Sequence, residues 1–174
     1  AFNTNDLIIV SRSVGSGQYE LVNEAAAWNG LTKPLMSVNG YINRSTRLGF
    51  NTGTTIPDVN SNPVRLRISF KSHPIFAGLA LNSTNLMVNP FAGTVVFTNG
   101  TTGVTTNQRG MSVVTGAIVA GGTVLATIGT PGDAAFGGMA IGEFPAGTVS
   151  QRGDAFAAKR LVFITGSREH NGSP

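Results

Sequence analysis

The chain contains no cysteine. That excludes disulfide staples and thiolate metal sites together, so stability has to come from packing and hydrogen bonding. Histidine is nearly as scarce, with only His73 and His170. Zinc and redox metals draw on thiolate or paired imidazole ligands, so no metal and no cofactor is expected. Trp28, Tyr19 and Tyr41 are the only side chains of their two types. Three such rings are few for the stacking platforms that sugars or single-stranded nucleic acids need. Phosphate-loop, nucleophile-elbow and dinucleotide motifs are missing as well. No catalytic residue is assigned, and the expectation is a protein that is not an enzyme.

The largest absence is charge. Lys, Arg, Asp and Glu make up 11% of the chain, against about one quarter in an ordinary soluble domain. Between Lys71 and Arg109 there is none, and between Arg109 and Asp133 there is none again. Thr, Asn, Gly, Ala and Val fill the gap. Surface charge keeps monomers soluble, so a stretch without it is expected to be covered, most simply by copies of the same chain. The run 110–132 is long enough to cross a bilayer, but Gly121-Gly122 and its recurring Thr residues interrupt it. No membrane span is expected. The opening Ala1-Phe2-Asn3-Thr4-Asn5-Asp6 lacks the basic start and apolar stretch of a secretory signal. Synthesis in the cytoplasm followed by self-assembly is the corresponding expectation.

What the chain does have is β pattern. In Val64-Arg65-Leu66-Arg67-Ile68-Ser69-Phe70-Lys71 apolar and polar residues alternate, which predicts one buried and one wet strand face. Residues 6–12, 18–22 and 161–165 also read as strands. Asn39-Gly40, Asn99-Gly100 and Gly121-Gly122 supply the positive φ that two-residue hairpin turns need. Helix signal is confined to 23–30, where Asn23 precedes an alanine run and Gly30 ends it. The expected fold is all-β and mainly antiparallel, a β-sandwich, jelly roll or small barrel with one short helix near residues 24–29. The 174 residues suggest a single β-rich domain over 1–166 followed by a flexible tail, 167–174.

Candidate functional residues are sparse. Arg44, Arg47, Arg65, Arg67 and Lys71 form the one charge asymmetry, and guanidinium forks suit phosphate or acidic neighbours. They are a candidate face for an anionic partner, with a solvated strand face that resists edge pairing as the plainer reading. Glu143 stands out among the carboxylates by its apolar neighbours but reads as a strand-end residue beside Pro145. His73, before Pro74, reads as structural. Arg152-Gly153-Asp154 spells an adhesion tripeptide, yet three residues recur by chance and a polar turn is the simpler account.

Together these features predict a non-enzymatic structural protein: a coat, decoration or tail component of a phage-like virus particle, located in the virion or another extracellular assembly. It would pack through 72–132, with Thr94, Val96, Thr98, Val114, Ile118, Val124 and Thr127 as candidate subunit contacts. Copies of the chain are the expected partners, other virion proteins come next, and nucleic acid is a secondary expectation. The alternative is an extracellular carbohydrate-binding or adhesin-type β-sandwich module, in which Trp28, Tyr19 or Tyr41 offers a stacking face.

Overall fold

A computed structural model describes residues 2–12, 14–59, 64–88, 95–98, 105–108 and 111–164; for 95–98 and 105–108 it describes backbone pairing alone. The strands are β1 (Ile8–Val10), β2 (Leu35–Ser37), β3 (Leu66–Ile68), β4 (Val95–Thr98), β5 (Thr105–Gln108), β6 (Thr123–Ile128), β7 (Met139–Phe144) and β8 (Arg160–Phe163). The helix α1 spans Val22–Asn29. Six strands form one sheet in the order β1-β2-β8-β7-β6-β3, and β4 and β5 form a separate two-stranded sheet.

This corrects the expected all-β antiparallel sandwich, jelly roll or barrel. The sheet is single and mixed: β1 runs parallel to β2 and β2 parallel to β8, while the other neighbours are antiparallel. The reading fails at residues 16–22. Ser16-Gly17 is not a turn between two strands; Ser16–Tyr19 is a 3-10 turn leading into α1. Parallel neighbours require a crossover connection, and residues 11–34 with α1 provide it. The short segment Tyr19-Glu20-Leu21-Val22 suits either a strand or the start of a helix, which periodicity over so few residues does not separate. The expected short helix near 24–29 is present, two residues longer at its start than the Asn23 cap implied, with Leu21 in the cap position. The Glu24 carboxylate accepts a hydrogen bond from the Leu21 N–H (3.0 Å) at the helix start.

Two of the expected hairpin turns take other forms. Asn39 does not close a hairpin; its side chain accepts from the Tyr41 N–H (2.8 Å) and caps a 3-10 turn, Gly40–Asn43. Gly121, at φ 89°, turns the chain into β6. Beside it Gly122 lies against the Phe144 ring, where a Cβ would collide. Residues 99–104, with the third turn, lie outside the described residues, but β4 and β5 pair antiparallel on either side of them, Thr98 opposite Thr105.

Packing follows from the sheet order. β7 lies inside the sheet and Met139–Ile141 are nearly inaccessible in succession, as expected of a strand covered on both faces. Register aligns Ile8, Leu35 and Arg160 in one row and Val10, Ser37 and Val162 in the next, all buried on the core face. Phe50, Phe144 and Phe156 meet there with ring centroids 5.0–6.0 Å apart. Truncating one such ring to Ala costs about 3–5 kcal/mol.

Asparagine serves this core as a fastener. Asn29, Asn39, Asn43 and Asn51 are all buried. Asn29 donates to Leu48 O (3.2 Å), Asn39 to Val14 O (2.8 Å) and Asn51 to Gly116 O (3.0 Å). Each bond ties a loop carbonyl to a buried side chain, which in turn finds an acceptor for its amide.

Candidate functional site

The five cations proposed as one anionic-partner face separate into two neighbourhoods, with Lys71 exposed in a turn between β3 and the 3-10 turn Pro74–Phe76. Arg44 and Arg47 lie against residues 16–20. Arg44 donates from Nε to Tyr41 O and from Nη2 to Ser16 Oγ, both at 2.9 Å. Burial pushes its pKa down, and the nearby Arg47 charge adds to the effect. Arg47 pairs with Glu20 at 3.2 Å. Arg152, from the adhesion-like tripeptide, joins this group by donating to Thr46 O (2.9 Å) and Glu20 O (3.0 Å). These guanidinium groups fasten three loops to one another.

Arg65 and Arg67 act at the β3 edge. Arg65 donates to Met87 O (3.0 Å) and Val88 O (3.1 Å), and Arg67 to Thr84 O (3.1 Å). Backbone bonds from Ile68 N–H to Asn85 O (2.9 Å) and from Met87 N–H to Leu66 O (3.0 Å) lay residues 82–88 along the strand. Both arginines, placed by the alternating pattern on the wet side, hold a loop over the sheet edge.

The proposed subunit contacts divide differently. Val114 is buried in the core at 2% exposed. Ile118 and Val124 are partly buried and pack against the core, and Thr127 is half-buried on β6. Met111, Val113, Val119, Leu125, Ala126 and Ile128 are core as well. Much of the described C-terminal part of the uncharged stretch therefore lacks charge because this chain covers it. Thr94 lies outside the described residues. Val96 and Thr98 belong to β4, where register sets Val96 opposite Asn107. That two-stranded ribbon, within the charge-free stretch between Lys71 and Arg109, is not hydrogen-bonded to the six-stranded sheet.

Of the remaining sequence candidates, Tyr19 is 2% exposed and its ring lies tilted against Trp28 with centroids 5.0 Å apart; Phe2 lies 5.5 Å from the same indole. These rings pack on one another beneath the β1–α1 connection. Glu143 is half-buried and paired with Lys159 at 2.6 Å. His73 accepts from Ile75 N–H through Nδ1 (3.3 Å) and so caps the 3-10 turn at Pro74. Among the described residues, no three His, Asp or Glu converge as metal ligands, and no helix is long and apolar enough to cross a membrane.

The residue that sequence reasoning missed is Arg160. It is fully buried. Its Nη2 donates to Asn29 O (2.8 Å) and Leu31 O (2.7 Å), and its Nη1 to Ala158 O (3.0 Å) and Lys33 O (3.1 Å). The guanidinium lies 5.8 Å from the Phe156 ring centroid. No carboxylate among the described residues pairs with it. Carbonyls at the C-terminal end of α1 take the place of a counterion, where the helix dipole favours a cation. Burial lowers its pKa to about 10, which leaves the group charged at neutral pH. Lys159 and Arg160 are adjacent cations in the sequence, and no local signal separates the exposed lysine from the buried arginine.

The remaining surface is apolar to an unusual degree at the N-terminal end. Phe2, Leu7, Ile9, Leu21 and Val22 are each between 46% and 68% exposed. No protein-family model, curated protein or solved structure matches this chain.

Proposed function

We propose that this chain is a non-enzymatic assembly subunit that works by packing against copies of itself, as coat, decoration or tail components of virus particles do. The observation that carries the reading is the β4–β5 ribbon. It is a two-stranded sheet, separate from the main sheet, set in a stretch with no Lys, Arg, Asp or Glu between Lys71 and Arg109. An isolated two-stranded hairpin is marginally stable in water and needs a surface to pack on. A stretch without charge gains little from facing solvent, and a neighbouring subunit would offer such a surface. The exposed apolar side chains of the first 22 residues support the same reading, since such side chains mark contact surfaces when they cluster. Other virion proteins fit the same neutral surfaces as additional partners.

Native mass by light scattering tests it. A concentration-dependent species of several times 18.0 kDa is the expected result. Placing two charges on the ribbon, as Val96→Lys with Thr98→Lys, is expected to shift that species towards monomer while leaving the melting transition in place. A monomer of 18.0 kDa at every concentration would overturn the reading.

A further inference from the structure

The arginines that fasten residues 16–20 to the neighbouring loops crowd more positive charge into one place than their carboxylate balances. Arg47 Nη1 and Arg152 Nη1 donate to the same oxygen, Thr46 O, at 3.0 and 2.9 Å. Two bonds of ordinary length to one atom leave these nitrogens within about 6 Å of each other. Their Nη2 atoms converge as well, that of Arg47 on Glu20 Oε2 (3.2 Å) and that of Arg152 on Glu20 O (3.0 Å). Arg44 is a neighbour: burial first, and then the Arg47 charge, pushes its pKa down. Among the described residues no carboxylate but Glu20 pairs with any of the three, and its side chain is 58% exposed, so water screens the attraction. Asp154, two residues beyond Arg152, makes no ion pair. Carbonyls can satisfy a lone guanidinium, as they do at Arg160, but here two guanidiniums share one carbonyl oxygen.

We propose that Arg47 and Arg152 bind an oxyanion of the phosphate type, with Arg44 adding its charge beside them. The site stands independently of the assembly reading. Each guanidinium has N–H donors beyond those its acceptors in this chain engage. Planar forks suit a tetrahedral oxyanion, because each presents paired N–H groups to two of its oxygens. A carboxylate brings one charge, which Glu20 already supplies, whereas phosphate or sulfate brings up to two. The forks are set before any ligand arrives. Gln151 N–H donates to Gly49 O (2.9 Å), and the N–H groups of Arg47 and Gly49 both donate to Arg44 O (3.0 Å). Gly49, at φ 73°, permits this approach, since a Cβ there would lie 2.9 Å from Gln151 N. Donors held in place lose little freedom on binding. The group also opens to solvent: Glu20 and Thr46 are exposed, and Arg44 and Arg152 are half-buried.

Inorganic phosphate, titrated into the full chain at constant ionic strength with sodium chloride as balancing salt, tests this through the arginine Nε–H signals in NMR. Those of Arg47 and Arg152 are expected to shift to saturation, and those of Arg65 and Arg67 to stay in place. Arg152→Gln is expected to weaken binding at least about tenfold, and Arg65→Gln to leave it unchanged. Glu20→Gln separates binding from fastening. Removing the competing carboxylate is expected to tighten phosphate binding about threefold or more, whereas a group that only fastens loops loses a partner for Arg47 and binds phosphate no better. O-phosphoserine distinguishes the sources of the anion. Binding of both ligands supports a phosphate carried on another molecule, and binding of inorganic phosphate alone supports a free ion. Shifts without saturation, an affinity unchanged in Arg152→Gln, or no tightening in Glu20→Gln overturns the site. None of these readouts depends on oligomeric mass, so failure here is distinct from failure of the assembly reading.

Discussion

The two ends of the sheet solve the same problem in opposite ways. At the β3 end, Arg65 and Arg67 hold residues 82–88 over the outer strand, and the loop's own backbone completes the ladder. At the β1 end no described strand or bridge pairs with the far side of the outer strand, and the Ile9 side chain is exposed. The locks are placed differently too. The β3 end is fastened from outside by exposed or half-buried guanidiniums. The β1 end is fastened from inside, where buried Arg160 gathers the carbonyls that follow α1 and fixes the crossover carrying β1 to β2.

Breaking the inner lock is the harshest test of this contrast. Arg160→Met fills similar volume but takes the guanidinium donor from the carbonyls of Leu31, Lys33 and Ala158, while Asn29 O keeps the Ala157 N–H (2.9 Å). Buried unpaired groups cost about 1–3 kcal/mol each, so a loss of about 4 kcal/mol is expected in urea unfolding. A loss under about 1 kcal/mol would mean that water or a neighbouring donor replaces the arginine.

The outer lock is weaker. Arg67→Ala removes one hydrogen bond to Thr84 O and should cost about 1 kcal/mol. Its sharper signature is local: the amides of Ile68 and Met87, which bond across to Asn85 and Leu66, are expected to exchange faster while amides of β7 keep their protection. Equal acceleration in β7 would show that the loop and sheet open as one unit. Arg65→Ala with Arg67→Ala should also bare the β3 edge, so the doubly substituted chain is expected to form larger species than the wild type. Unchanged light scattering would count against edge exposure as the origin of association.

Amide exchange separates the two ends without substitution. The Ile9 amide, which points away from β2, is expected to exchange faster than that of Ile8, which bonds Pro34 O. Equal protection of the two amides would contradict that difference.

The smallest expected effect is alkaline. Burial raises the Tyr19 pKa above its usual 10.0. The folded protein therefore keeps that proton where the unfolded chain has lost it. The stabilising contribution is intact below pH 10 and is lost as pH rises through the folded value. Wild type compared with Tyr19→Phe, which keeps the ring against Trp28, is expected to show a stability difference that declines above pH 10. A flat difference would mean that the hydroxyl is solvated.

Sequence reading reached the strands that alternate or close the chain. The 64–71 pattern contains β3, and 161–165 overlaps β8. It went wrong where local signal is short and tertiary context decides. Ser16-Gly17 and Asn39-Gly40 have hairpin chemistry, but Asn39 is drawn inward by Val14 O and becomes a cap instead. The parallel pairs were invisible because β1 and β2 have three residues each, too few to show the continuous apolar runs of buried parallel strands. Arginines in the right segment were assigned to an outside partner, whereas their acceptors are loop carbonyls of the same chain, which only the folded chain brings within reach. The charge-free stretch mixes two causes, core in 111–128 and the β4–β5 ribbon before it, which composition alone treats as one.

The position of β8 sets the order in which this molecule can be made. β8 is the last of the described strands, yet it is inserted between β2 and β7, pairing Leu35 with Arg160 on one side and Ile141 with Phe163 on the other. Until residue 163 has been synthesised, the β1–β2 pair and the β7-β6-β3 sheet have no strand to join them, and the inner edges of both stand open. The arginine that locks α1 arrives on that same late strand. Long-range closure of this kind makes folding slow, because the entropy of a loop over most of the chain is lost before its contacts form. A ribosome still holding the final residues therefore carries a protein with more sticky edges than the finished one.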